Sequence, residues 1–560
     1  MSTSSTKSRK TARAKKRGAQ RNYSHVEPEV PVATVSDIPE TAWRIGMIAI
    51  FLIAAVLRLY DLNLVPLHHD EGVNGNFLVR LVREGAYSYD PQNYHGPTLY
   101  YFSALIPWIV KVLFGNAARD NYGLTTFTIR LIPVIFGLAT IGLVFLLRRR
   151  LGTVGTLAAA LMLAVSPGAV YLSRYFIHET LFVFFTLGIV VAALRFYDKR
   201  NPVYLISAAA SAALLFATKE TAFISAGVLL IALGMTWAYM RLIRGARGDR
   251  NAKRRTVSEG LVDKFGGTPR LVTSIVLAII VFWVLWILFY SSFFTNYKGI
   301  NDSFETFTIW RKTGNEAHVH PVTMYLKWLV TQESTLLFFG AAGAAIAVLR
   351  PRNSFAIFCG LWSFGLIAAY SLIGYKTPWL VLNFIVPLAL IAGYLSQAIY
   401  EMLKHLLGTT LVTWFLVAMI SFVAVGVAGY QTIDLNFVNY DNDEGYYVYV
   451  YAHTTRNLLD LVNEVERIAK ETSGPTTGIT IISPDYWPLP WYFRNFTRVG
   501  YYGRMAASSE PIIIANANQK DEVEASFGPY YEQVTSNEPG GTFQLRPGVD
   551  LLLYRRREGF

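Results

Sequence analysis

From residue 44 onward the chain alternates long apolar runs with short polar connectors. The runs fall at roughly 44–60, 98–114, 124–147, 152–172, 177–195, 203–217, 221–241, 271–293, 334–349, 354–373, 379–397 and 408–430. They are apolar on every face and near the length of about 20 residues that a helix needs to cross hydrocarbon. That pattern predicts a polytopic α-helical membrane protein. The first run follows a long tail and precedes no small-residue cleavage pattern, so it reads as an uncleaved span. After about residue 431 the pattern changes. Leucine and valine recur at helical spacing over 456–470, and ITIIS (479–483), PIIIA (511–515) and VDLLLYR (549–555) read as strands, which predicts a small α/β unit. PDYWPLPWYF (484–493) is too rich in proline and rings for a regular strand. It reads as a loop whose aromatics pack on the membrane domain or on sugar faces.

Composition agrees with this pattern. Of 560 residues, 53% are apolar and 16% charged. The one cysteine, Cys359, lies within an apolar run, so neither an intrachain disulfide nor a thiolate metal site is available. The formal charge of +13 raises the question of nucleic acid, and its distribution answers it. Residues 1–21 carry eight Lys and Arg and no acid, and 241–270 carry nine against three, whereas 431–560 carry eleven against seventeen Asp and Glu. Basic connectors between spans are the inside-facing signature and need no polyanion.

With the basic tail inside, the first run ends outside at residue 61. Arg148–Arg150, Arg195 with Lys199 and Arg200, the 241–270 loop, Arg350 with Arg352, and Lys404 all read as inside. These connectors conflict with the start by one crossing. The conflict disappears if 98–114, preceded by His95-Gly96-Pro97 and broken by Pro107, lies along the outer face. That leaves about eleven spans with juxtamembrane helices in one large external loop, 61–123. In this loop Val73, Phe77, Leu78, Leu81 and Val82 predict a short amphipathic helix just after an acidic pair. The expected organisation is a disordered basic cytoplasmic tail (1–43), a transmembrane domain (44–430) and an extracytoplasmic α/β domain (431–560).

The outer connectors then collect the chemistry: LHHDEGVNG (67–75), SRYFIHE (173–179), ATKE (217–220), HVHP (318–321) and GYKTPW (374–379). Asp70, Glu71 and Glu179 are the candidate catalytic carboxylates. His69, His95, Arg174, Lys219, Tyr375 and Lys376 are the candidate substrate contacts. Lys376 is singled out because a lysine in a short external connector opposes the inside bias and suits a phosphate. Asp70, Glu179, His318 and His320 are the donors that a divalent cation, Mg or Mn, would use, although HVH alone is weak and no cofactor is required by the pattern. Carboxylates, cations and rings beside lipid are what glycosyl transfer from a lipid phosphate needs: a base for the acceptor hydroxyl, positive charge for the departing phosphate, and planes for sugar and isoprenoid.

At these residues the chain resembles the GT-C superfamily of lipid-phosphate-sugar glycosyltransferases, of the protein mannosyltransferase and aminoarabinose transferase type. More narrowly it is similar to the flippase-activity-associated membrane proteins of archaea and some bacteria. The resemblance covers about residues 44–400. HHDEG (68–72) matches the Asp-Glu motif of the first external loop, which implies a general base at Asp70 and a supporting role for Glu71. SPGAVYLSRYFIHE (166–179) looks like the second external loop, where relatives carry another acid, here Glu179. HGPTLYY (95–101) followed by FTIRLIPVIFGLATIGLVFLLRRRLG resembles the juxtamembrane helix and second span. Where metal-dependent oligosaccharyltransferases carry an acidic cluster, this chain offers only Glu179 beside His178. YKTPWL (375–380) belongs to the narrower family, with no catalytic role to transfer.

The resemblance implies a membrane glycosyltransferase that moves a sugar from a polyprenyl-phosphate donor to a glycan, lipid or protein acceptor at the outer face of the cell membrane. A second reading is a non-catalytic membrane protein that assists translocation or assembly of lipid-linked glycans. Transport would place polar residues through the depth of the bilayer. Most runs here are apolar between their ends.

Overall fold

The computed structural model describes residues 38–93, 95–115, 123–246, 267–313, 319–443, 445–537 and 539–559. The apolar runs form helices: α1 (Glu40–Leu59), α4 (Thr126–Phe145), α5 (Thr153–Ala164) with α6 (Pro167–Ser173), α7 (Glu179–Lys199), α8 (Pro202–Phe216) and α9 (Ala222–Ala246). They continue as α10 (Thr268–Tyr290), α12 (Met324–Gln332) with α13 (Ser334–Leu349), α14 (Ser354–Leu372), α15 (Leu382–Leu407) and α16 (Leu411–Ile433). Between them lie α2 (His69–Glu84), α3 (Thr98–Phe114) and α11 (Lys298–Thr313). Among the described residues seven helices are long and apolar enough to cross a membrane, or nine if each bent pair is one span. Large apolar side chains such as Ile48, Val56, Leu230, Ile279 and Leu411 stand exposed on these helices, a surface that hydrocarbon solvates and water does not. The chain is a multi-pass membrane protein.

Two of the long runs are not straight. The run at 152–172 breaks by 59° between α5 and α6. Pro167 opens α6, and Ser166 caps it by accepting the Ala169 amide. A break at this depth frees carbonyls that lipid cannot satisfy. Arg58, fully buried on α1, donates to the carbonyls of Leu163 and Ala164, and Thr432 donates to that of Val165. The second break, 111° between α12 and α13, falls at Glu333. Its carboxylate accepts from the Ser166 hydroxyl (2.9 Å) and the Gly168 amide (2.8 Å) at the N-terminus of α6, so the two breaks are tied together.

The C-terminal part is a mixed α/β unit. Its strands are β1 (Ile479–Ile481), β2 (Val499–Tyr501), β3 (Ile512–Asn516), β4 (Tyr531–Val534), β5 (Phe543–Arg546) and β6 (Val549–Arg556), in the order β2-β1-β3-β6-β4 with β5 also paired to β6. β1 runs parallel to β2 and β3, and the partners of β6 are antiparallel to it. The uninterrupted apolar stretch in β6 has a simple cause: both faces of the sheet are covered. Leu551 and Leu553 face α17 (Asn457–Glu471), while Leu552 and Tyr554 face α18 (Lys520–Phe527).

Candidate active site

The acidic pair lies inside α2 and not ahead of it. His68 is the N-cap: its Nδ1 accepts the Asp70 amide (3.1 Å), and its own amide donates to Glu71 Oε2 (3.1 Å), a capping box that starts the helix one residue before the carboxylates. Accepting at Nδ1 leaves His68 Nε2 as donor to the Tyr451 carbonyl (3.1 Å). The two adjacent acids then have opposite fates. Glu71 has no exposed surface, while the Asp70 side chain is 41% exposed. Arg130 of α4 holds Glu71 in a bidentate pair, Nε to Oε1 at 2.8 Å and Nη2 to Oε2 at 2.6 Å. The remaining Arg130 N–H groups reach the carbonyls of Leu62, Val65 and Pro66, the connector leading into α2. Glu71 also accepts the Phe176 amide at 2.7 Å, and Asn74, one turn on, donates to the Phe176 carbonyl at 3.0 Å. One residue of the 174–178 connector, Phe176, is therefore held by α2 at both its amide and its carbonyl. Glu71 is a structural node; Asp70 is the carboxylate left open.

A second polar cluster lies alongside. His95 and Lys219 form an isolated antiparallel bridge, with the Gly96 amide on the Thr218 carbonyl at 3.0 Å. A Cβ at Gly96 would stand 2.0 Å from the Ala217 oxygen, so this contact admits glycine alone. The Lys219 ammonium meets Glu179 Oε1 at 2.5 Å, and His95 Nδ1 meets Glu220 Oε2 at 3.2 Å. Burial disfavours the Lys219 ammonium, but Glu179 and Glu220 outweigh it and raise its pKa. His178 donates from Nε2 to the Gly96 carbonyl at 3.0 Å, and its Nδ1 is buried without a hydrogen-bond partner among the described residues. Burial, then the charges of His95 and Lys219, hold that imidazole well below its usual range.

The 374–379 connector closes a third side. Its Lys376 is 1% exposed and donates to the Ile373 carbonyl; burial lowers its pKa, and no carboxylate partner faces it among the described residues. Tyr375 pairs with Val319 in an isolated bridge. Trp379 meets the His68 ring edge-on, 6.2 Å between centroids. His453, from the segment entering the C-terminal unit, lies 5.6 Å from the His68 ring, with Tyr171 Oη 3.4 Å from its Nδ1. Burial, then His68 and Arg130, push His453 well below its ordinary pKa. The C-terminal unit is locked onto α2: Tyr492 Oη accepts the Leu67 amide (3.0 Å), Arg456 donates to Leu64 (2.6 Å), and Arg494 donates to Leu124 (2.7 Å). Gly72 and Gly75 make this docking fit, since a Cβ at either would stand 2.5 Å from Pro488 or 2.6 Å from Trp491.

Of the residues singled out by sequence, Asp70, Glu71, His69, His95, Glu179, Lys219, Tyr375 and Lys376 fall in this one layer. Arg174 is in it too, but its guanidinium binds the carbonyls of Tyr60 (2.5 Å) and Asp61 (2.8 Å), where α1 ends, and lies over Phe437. It pairs with the end of a helix and not with Glu179. His320 sits beside Trp328, with its amide on the Gly374 carbonyl, and His318 lies outside the described residues. Among the described residues no three His, Cys, Asp or Glu side chains come together as a metal site. Of the donors proposed for Mg or Mn, Glu179 is paired with Lys219 and Asp70 is open. Sequence reasoning missed Arg130, His68, Glu333 and His453. The one available signal was an arginine inside an apolar run, FTIRLIP, where an unpaired charge is costly.

Comparison with known proteins bears on this arrangement. The family described as dolichyl-phosphate-mannose-protein mannosyltransferase matches residues 103–244. No curated protein matches the chain. The crystal structure of ArnT from Cupriavidus metallidurans bound to undecaprenyl phosphate is 13% identical, covers 92% of this chain and 98% of its own, and superposes with a TM-score of 0.59. The archaeal oligosaccharyltransferase AglB from Archaeoglobus fulgidus, in complex with an inhibitory peptide and a dolichol-phosphate, is 14% identical over 92% of this chain and 74% of its own, with a TM-score of 0.53. The chain is a polytopic membrane protein with the GT-C-like fold of these transferases, and its C-terminal part is a mixed β unit.

Proposed function

We propose that the protein transfers a sugar from a polyprenyl-phosphate donor to an acceptor hydroxyl at the outer face of the membrane, with inversion and with Asp70 as general base. The observation that carries the reading is the division of the acidic pair. Glu71 is consumed by Arg130 and two backbone amides, which fixes the first turn of α2 and leaves Asp70 open beside the connector that carries Phe176. The fold shared with proteins solved with undecaprenyl phosphate and dolichol-phosphate supports the donor class.

In this reading Asp70 accepts the proton as the acceptor oxygen attacks the anomeric carbon. The bond from that carbon to the phosphate oxygen breaks, and polyprenyl phosphate leaves with the electron pair. Lys376 supplies positive charge at the leaving phosphate: it is buried in the 374–379 connector, has no carboxylate partner among the described residues, and donates to one carbonyl, whereas Arg58 and Arg174 are each spent on several carbonyls at helix ends. Lys219 is neutralised by Glu179 and holds the connectors together. Arg174 positions the end of α1.

The reading orients the chain with its basic connectors inside and gives eleven crossings: α1, α4, α5–α6, α7, α8, α9, α10, α12–α13, α14, α15 and α16. α2, α3 and α11 then lie along the outer face, and residues 431–560 are extracytoplasmic. The test is transfer by the purified protein in lipid nanodiscs, supplied with a panel of synthetic polyprenyl-phosphate monosaccharides and envelope glycans or lipids. Release of polyprenyl phosphate with an inverted anomeric centre in the product is expected. No release from any donor, or retention of configuration, would overturn the proposal.

A further inference from the structure

A row of partly open rings leads from Asp70 onto the C-terminal unit. His69 lies 6.1 Å from Trp487 between ring centroids, Trp487 lies 5.8 Å from Tyr486, and Tyr486 lies 5.3 Å from Tyr501. The last two pairs are inclined by only 33° and 41°, so their faces form a shallow curved surface and not an edge-on packing. Tyr501 is 36% exposed at the end of the edge strand β2, and Tyr502 beside it is 53% exposed.

Docking of the loop does not account for this row. Pro488, Leu489 and Trp491 are buried, and Pro488 and Trp491 fill the spaces over Gly72 and Gly75. Trp487, one residue earlier, remains half-buried against the first turn of α2. Tyr486 leans on the core of the unit and anchors the row from behind. Polar groups border it: Asp485 and Arg546 form an ion pair with both side chains partly exposed, so the border is polar without net charge.

We infer that this row is a carbohydrate subsite, taking a neutral glycan whose terminal hydroxyl reaches Asp70. The inference rests on the transferase reading for the role of Asp70 and names the acceptor class for it. A pyranose has an apolar face of C–H groups and a rim of hydroxyls, so it needs ring planes bordered by donors and acceptors. Rings with one polar edge, such as Tyr and Trp, supply area at little entropic cost. The balanced Asp485–Arg546 border favours a neutral sugar over a phosphorylated or acidic one. An alternative role as a membrane-interface belt would bring that ion pair toward lipid and its desolvation cost.

The full chain in detergent is titrated with maltotriose, cellotriose and mannotriose, with trigalacturonic acid as the charged control, and binding is read by saturation-transfer NMR and calorimetry. At least one neutral trisaccharide should bind. Trp487→Ala should weaken it about tenfold without moving the unfolding midpoint, and Trp487→Phe should retain most of it. Absence of binding by any neutral trisaccharide, or equal binding by Trp487→Ala, would overturn the subsite. So would a Trp487→Ala effect confined to liposome partition. Glycan binding at Trp487 without transfer from any donor would remove the transferase reading and leave the subsite. Transfer with an acceptor KM indifferent to Trp487→Ala would do the reverse.

Discussion

The first turn of α2 and the cluster of His95, Glu179, Lys219 and Glu220 hold the same kinds of side chain in the same layer of connectors. In the second, acids and bases are matched: Lys219 with Glu179, His95 with Glu220. In the first, one acid takes a whole guanidinium and two backbone amides, and its neighbour has, among the described residues, no basic partner closer than a histidine nitrogen at 4.0 Å. A matched cluster holds loops in place, whereas an acid beside a saturated acid is held still and left open to a ligand. The comparison teaches that clustering of charge near a fold's loops does not by itself mark the reacting group. Satisfaction of each group does.

The largest expected effect lies at the node. Arg130→Met leaves the wholly buried Glu71 carboxylate without its counterion and should lower stability by about 3–5 kcal/mol. Thermal unfolding in nanodiscs measures it, and a shift near zero would mean that Glu71 is not held as described.

Next is Lys219→Met, which strands Glu179 and should cost a comparable amount alone. Here the double change Glu179→Gln with Lys219→Met should recover most of the loss, because the pair mainly neutralises itself. The double change Glu71→Gln with Arg130→Met should not recover, since the Phe176 and His68 amides and three carbonyls of the 62–66 connector also depend on the node. Equal recovery in both would erase the distinction between the two clusters.

The smallest effect is at Lys376. Lys376→Met keeps the stem and removes the charge, so the unfolding midpoint should hold while KM for the donor rises roughly ten- to hundredfold, as for a lost charge-assisted contact. An unchanged KM would leave the phosphate to some other group.

Much of this was legible in the sequence. The apolar runs place the helices, and the spacing of Leu78, Leu81 and Val82 gives α2, because burial periodicity is local information. The strands of the C-terminal unit were legible at β1, β3 and β6, which are apolar on both faces, and not at β2 or β4, edge strands with mixed patterns. The resemblance at 68–72 implies Asp70 as base and Glu71 in support, but the motif does not show how Glu71 is held. That depends on Arg130, fifty-nine residues away along the chain and inside a run that hydropathy treats as uniform. Glu333 and His453 escaped for the same reason: a buried polar group is defined by a partner, and partners at 165 or 282 residues leave no periodic trace.

The most direct measurement is single-turnover transfer by Asp70→Asn, with donor binding measured on the same preparation. The exchange keeps size and removes the basic charge from a group whose backbone is fixed by His68 and Glu71. Turnover should fall by roughly 10²–10⁴, the contribution of a positioned base, with donor affinity and unfolding midpoint unchanged. Transfer by Asp70→Asn at the wild-type rate would contradict the account.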